Sequence, residues 1–273
     1  MADSKNSYDY DPSEVHTRIH PDANVYDNQG VLTMNDAASY ILSQPALVIE
    51  RQIEFMNVFL GFEQANRYAL LDINGNHIGY MEEVDLGFVK AIMRQVYRLH
   101  RPFTVNILDR HGSIILRLRR PFSIINSYVS VSVPESEYSE ERIIGEAQQS
   151  WHLWRRRYNL FLKENGDNFN QFAAIDAPFL SFQFELHDED QQIMGSVERN
   201  WVGLGRELFT DTGVYILKMD AVSSDDYGVQ HRTSGMSLDQ RAVMLGCAVS
   251  IDFDYFSRHS RPGGGFFGPT DDI

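Results

Sequence analysis

Arg241-Ala-Val-Met-Leu-Gly-Cys-Ala-Val-Ser-Ile-Asp252-Phe-Asp254-Tyr-Phe256 is the stretch of this 273-residue chain whose reading decides the fold. It is apolar nearly all the way round, and a helix of that kind has to be buried in protein or in lipid. Ser237, with Gln240 three residues on, has the capping-box pattern and predicts a helix start at 238. Arg258, His259 and Arg261 follow with the sign of charge that suits a helix C-terminus. A helix from 238 to about 256 would run roughly 28 Å at 1.5 Å per residue. Val243, Met244, Leu245, Cys247, Val249, Ile251 and Phe253 are its candidate buried side chains. The longest apolar candidate, 242–251, is about half the length that spans a bilayer, and it runs into Asp252 and Asp254. Burial in protein is the favoured setting.

Almost everything before that rod reads as strands. Segments 47–53 and 57–60 come first, then 67–73 and 77–81 around Asn74-Gly75, the strongest short hairpin signal. Segments 103–108 and 114–118 turn at Asp109-Arg-His-Gly112, and 181–186 and 192–199 turn at His187-Asp-Glu-Asp190. Between them, 129–133 alternates apolar with serine, and 143–146 with 151–162 reads as a further pair. The repetition suggests two related halves, about 45–135 and 143–220, in one twisted or closed sheet. A short helix is predicted at 35–42, stopped before Pro45. Another is predicted at 86–100, where Val89, Ile92, Met93, Val96 and Leu99 fall at helical spacing and Lys90, Arg94 and Arg98 line another face. Such a helix either packs on the sheet with its bases in water or lies at an anionic membrane surface. The chain thus divides into an acidic, largely disordered arm (1–44), a β-rich domain (45–258) and a flexible Gly/Pro tail (259–273).

The formal net charge of -14 argues against general nucleic-acid binding, which needs a basic footprint. The charge is uneven, however. Seven arginines (94, 98, 101, 110, 117, 119 and 120) stand against Asp109 alone, and Arg155-Arg156-Arg157 lies further on. Arg forks suit phosphate, which makes Lys90, Arg94, Arg98 and Arg101 candidate head-group ligands. Solvated faces and cross-strand ion pairs are the plainer reading of the same arginines. The single cysteine and the absence of Asn-x-Ser/Thr sequons fit a reducing compartment. The first thirty residues show neither a secretory h-region nor a transit-peptide pattern. No G-x-S-x-G, H-E-x-x-H, C-x-x-C or P-loop motif occurs, so no catalytic constellation is legible and a non-enzymatic role is expected. Asp211, Asp220, Asp225 and Asp226 collect just before the last helix. They could give oxygens to a hard cation such as Ca²⁺, or form a solvated polar loop.

Several blocks resemble the phospholipid scramblases. They are Leu47-Val-Ile-Glu-Arg-Gln-Ile-Glu-Phe-Met-Asn-Val-Phe-Leu-Gly-Phe-Glu63, Arg67-Tyr-Ala-Leu-Leu-Asp72, Arg101-Pro-Phe-Thr-Val-Asn-Ile-Leu-Asp-Arg-His-Gly112 and Arg120-Pro-Phe122. Trp201-Val-Gly-Leu-Gly-Arg-Glu-Leu-Phe-Thr-Asp211 and the terminal rod complete the set, in order, over about 45–258. Gly61-Phe-Glu-Gln-Ala-Asn-Arg-Tyr68 and Ser250-Ile-Asp-Phe-Asp-Tyr-Phe-Ser-Arg-His-Ser260 look most like the fungal, mitochondria-associated branch. The resemblance implies a tubby-like fold, mainly β with a central helix: a closed barrel of about twelve strands threaded by the C-terminal helix. It also implies ATP-independent, bidirectional movement of phospholipids between leaflets, often Ca²⁺-dependent, at a mitochondrial membrane or the cytoplasmic face of the plasma membrane. Phospholipid membranes and anionic head groups are the implied partners.

Three departures qualify that expectation. Animal members carry a cysteine-rich, palmitoylated segment between the first two hairpins, where this chain has the Lys90/Arg94/Arg98 helix, a candidate electrostatic substitute. The family's acidic Ca²⁺ segment is matched at Asp225 and Asp226, with Asp211 and Asp220 set apart. Asp252 and Asp254 oppose full insertion of the last helix, since a charge at the bilayer centre costs roughly 2.5 kcal/mol or more. One short helix cannot line a polar path for a head group. Scrambling would thus require assembly of several copies, opening of the barrel, or indirect action. The alternative is a peripheral module or adaptor that binds anionic lipid or phosphoinositide without transporting it.

Overall fold

The computed structural model describes residues 25, 30–52, 67–84, 102–123, 125–134, 141–164, 166–199, 214–220 and 235–256. After a short helix α1 (Ser39–Leu42) come twelve strands. They are β1 (Ala46–Gln52), β2 (Arg67–Leu71), β3 (His77–Glu83), β4 (Phe103–Asp109), β5 (Ile114–Arg120) and β6 (Tyr128–Val133). Next come β7 (Arg142–Ser150), β8 (Arg155–Lys163), β9 (Phe169–Pro178), β10 (Gln183–His187), β11 (Ile193–Arg199) and β12 (Val214–Lys218). Helix α2 (Leu238–Ile251) and a π-helical turn, Asp252–Phe256, close the described chain.

Each strand pairs antiparallel with its sequence neighbours, and β1 pairs with β12 (Ile49 opposite Tyr215) to close the cylinder. The two halves read from the sequence are successive arcs of this one meander. Three details differ from that reading, one being β12 (Val214–Lys218), which it did not set apart as a strand. β8 begins at Arg155, because residues 151–154 form the turn that leads into it. β9 was not legible at all, since Phe-Asn-Gln-Phe-Ala-Ala-Ile-Asp-Ala-Pro has little β-branched content to announce a strand.

Side chains alternate between inside and outside along the strands. In β5, Leu116, Leu118 and Arg120 are buried while Arg119 is exposed. In β8, Tyr158 and Leu160 are buried between more open neighbours. All twelve strands give at least one residue to a single core cluster, and α2 runs through it. Thirteen of the fourteen α2 residues are buried, Gln240 being the exception, so the helix has almost no solvent face. It starts as its sequence dictates: the Ser237 hydroxyl accepts from the Gln240 amide, and the Gln240 side chain accepts from the Ser237 amide. Close approach needs glycine where helix meets wall. A Cβ on Gly246 would lie 2.7 Å from Val131 Cγ2, and one on Gly145 would lie 2.7 Å from Val243 Cγ2.

Because odd strands run one way and even strands the other, the barrel has two distinct ends. At one lie the tight turns that follow β2, β4, β8 and β10. There Asp72, Asp109 and Asp188 each accept backbone N–H groups of their own turn, and glycines at 75, 112 and 166 take positive φ. At the other lie the connections that follow β5, β7 and β9. Helix α2 enters at the turn end and leaves at the second, the rim end.

Candidate functional site

Entry of the helix is fixed by two charged residues. Arg241 is fully buried. Its guanidinium donates to the carbonyls of Leu42 (3.2 Å), Gln44 (3.0 Å) and Met236 (3.2 Å) and pairs with Asp220. Asp239 accepts the amides of Val31 (2.8 Å) and Leu32 (2.9 Å), tying the N-terminal arm across that opening. Burial raises the Asp239 carboxyl above its ordinary value, against those two hydrogen bonds.

The exit is a buried polar mouth built around the two carboxylates that interrupt the apolar rod. Asp254 pairs with Arg120 at 2.5 Å and accepts from Tyr158 (3.0 Å) and Ser250 (3.3 Å). Asp252 accepts from Tyr68 at 3.0 Å and is hydrogen-bonded to Tyr215 as well. Phe253 stacks on Phe103, with ring centroids 4.4 Å apart, and Arg120 lies 4.5 Å above the Phe103 ring. The π-helical turn puts both acids inside the wall. Burial, then the Asp252 charge, pushes the Tyr68 phenol up; burial and the neighbouring Tyr68 and Asp252 do the same for Tyr215. Half-buried Arg199 is drawn down by burial and held up by Asp252.

Around the mouth the described part of the rim is apolar and exposed. Phe122, Ile125 and Tyr128 follow or begin strands at the β5–β6 connection, Trp151, Leu153 and Trp154 form the β7–β8 tip, and Phe179, Leu180 and Phe182 form the β9–β10 tip. Backbone bonds tie these neighbours into one edge. The Trp151 amide donates to the Asn126 side chain (3.0 Å), and the Phe179 amide to the Trp154 carbonyl (3.1 Å).

Every residue expected to be buried on the last helix is buried: Val243, Met244, Leu245, Cys247, Val249, Ile251 and Phe253. Lys90, Arg94, Arg98 and Arg101 lie outside the described residues, as do Asp211, Asp225 and Asp226. Asp220 is described, and its carboxylate is held inside the barrel by Arg241, which does not suit a cation ligand. Other arginines of the basic segment act as the plainer reading has it: Arg117 and Arg119 reach Glu141 on the outer wall (2.6 and 3.4 Å). Arg120, Tyr68, Tyr158 and Tyr215 had no signal in the sequence beyond the two acids they serve.

These features define a closed antiparallel barrel plugged by its own C-terminal helix. The scramblase family model matches residues 27–258, and the chain belongs to that family. It is 55% identical over 258 residues to altered inheritance rate of mitochondria protein 25 of Saccharomyces cerevisiae, covering 88% of this chain and 79% of that one. It is 45% identical over 250 residues to a phospholipid scramblase family protein of Schizosaccharomyces pombe, covering 85% of this chain and 65% of that one. Phospholipid scramblase 2 of Bos taurus is 27% identical over 223 residues, covering 80% of this chain and 70% of its own length.

Proposed function

We propose that the protein is a phospholipid scramblase that moves lipids between leaflets in both directions without ATP. The observation that carries this reading is the scramblase match over residues 27–258, which takes in all twelve strands and the plug. No helix among the described residues is long and apolar enough to cross a membrane. The outer wall bears Arg117, Glu141, Arg157 and Asp176 in ion pairs, unlike the apolar band of a membrane-spanning barrel. Transport by this chain therefore calls for assembly of copies or for opening of the barrel. The test is reconstitution into vesicles with a fluorescent lipid and an outside-only quencher. Loss beyond half the signal supports transport; a plateau at half, with protein bound, refutes it.

A second reading, a peripheral anionic-lipid-binding module, draws support from the filled interior, which leaves a head group no route past α2. In either case the partner is a phospholipid membrane, reached at a mitochondrial or plasma-membrane surface. The name of the Saccharomyces cerevisiae relative favours the former. For Ca²⁺, Asp211, Asp225 and Asp226 are the candidates, because Asp220 would have to abandon Arg241 to bind a cation. Calorimetry with millimolar Ca²⁺ is the check: no heat of binding removes the assignment. Lys90, Arg94, Arg98 and Arg101 are proposed head-group contacts.

A further inference from the structure

We propose that the three tips carrying Phe122, Ile125 and Tyr128, residues 151–154, and residues 179–182 form one docking edge that seats in the interfacial layer of a phospholipid bilayer. This rests on the membrane reading above and assigns it to one end of the barrel. Nine of the thirteen exposed large apolar side chains of the described residues lie on this arc; the other four, Met34, Tyr40, Ile114 and Phe169, are scattered at the turn end. Trp151, Trp154 and Leu180 are the most open, at 65%, 71% and 79%. A contiguous apolar edge of this kind marks an interaction site.

Its chemistry favours a bilayer over a protein face. The apolar groups sit on protruding hairpin tips, which a soft interface accommodates. Trp is the side chain most suited to the head-group layer, where its ring is half in hydrocarbon and its N–H stays wet. Charge points the same way. Immediately behind the tips come Arg155, Arg156 and Arg157 against Asp176. Arg156 lies 4.2 Å over the Phe179 ring and donates to the Phe179 carbonyl at 2.9 Å, which holds that tip in place. At the opposite end the described turns carry Asp72, Asp109, Asp167, Asp188, Glu189 and Asp190 against Arg110. In a chain of charge -14, this polarity turns the rim toward an anionic surface and the acidic turns away from it.

The test uses the full chain with Trp201→Phe, leaving Trp151 and Trp154 as the only tryptophans, and vesicles of phosphatidylcholine with one-third phosphatidylserine, plain or brominated at shallow acyl positions. Binding should shift the emission to the blue, and the brominated lipid should quench it. In flotation, Trp151→Ser/Trp154→Ser/Leu180→Ser should lower partitioning at least tenfold with an unchanged melting profile, since these side chains are already in solvent. Arg155→Glu/Arg157→Glu should lower it on anionic vesicles more than on neutral ones. Binding without quenching, and undiminished in the triple variant, overturns the rim while leaving the membrane reading intact. Failure of the wild-type chain to bind either vesicle overturns both. Concentration-dependent self-association abolished by the triple variant, with no vesicle binding, assigns the rim to a second copy and overturns the proposal.

Discussion

Arg120 ends β5 with its side chain turned inward, where it meets Asp254 at 2.5 Å while both are almost wholly removed from solvent. Each charge has lost its water, so the pair is stable only as a pair. Arg120→Leu should destabilise the protein by about 3–5 kcal/mol in urea unfolding, because Asp254 is then left charged in the wall. Adding Asp254→Asn should recover roughly half of that loss; strict additivity would show that the two do not act together. Tyr68 and Tyr215 carry a second expectation. Both phenols are raised, by burial first; the Asp252 carboxylate comes next for Tyr68, and Tyr68 and then Asp252 for Tyr215. In the unfolded chain they ionise near pH 10. Their contribution is therefore complete below about pH 10 and is lost as pH rises from there toward the folded values. Alkaline spectrophotometric titration of the folded protein should leave both silent near pH 10, so Tyr68→Phe should remove no phenol from the fraction that titrates there. At this scale the sequence displayed the anomaly, two acids in an apolar rod, but not its resolution. The partners stand 184, 134 and 96 positions away, and only closure of the barrel brings them in.

Among the elements, α2 was the most legible because two independent signals agree: an apolar surface on all sides and a capping box at Ser237 and Gln240. Hairpins with Asx turns were legible too, since Asp72 and Asp109 each accept amides two and four residues on. β9 was hidden by its Asn, Gln and Ala content. It is a strand because β8 offers a ladder from Arg155 to Lys163, a tertiary cause with no local signature. The 151–154 turn was misread for the opposite reason: Trp and Leu look like strand residues, yet here they are exposed tips. Gly246 shows how closely the helix fits. Its missing Cβ is what lets Val131 approach, so Gly246→Leu should overpack the interior and lower stability by about 1–3 kcal/mol or more, measured by urea unfolding. An unchanged midpoint would mean that the helix can shift away from β6.

As a whole the molecule is a cylinder with unlike ends: acidic turns and a sealed helix entry at one, a polar mouth under an apolar rim at the other. The closed meander was foreseen from the hairpin rhythm and the family likeness, whereas the polarity of its ends was not. Polarity depends on which connections share an end, and strand direction supplies that only once the order is known. Everything functional depends on α2 being the internal plug. Cys247, the single cysteine of the chain, reports on it directly. It is fully buried mid-helix, and burial, aided by Asp254, holds its thiol far above the range in which a thiolate reacts. The decisive measurement is the rate at which a water-soluble thiol reagent labels Cys247 in the folded, detergent-free chain at about pH 8. Labelling no faster than global unfolding, and accelerating in urea together with the unfolding transition, is the expected result. Prompt stoichiometric labelling of the native protein would contradict the account, because a plug inside a closed barrel cannot present its thiol to water.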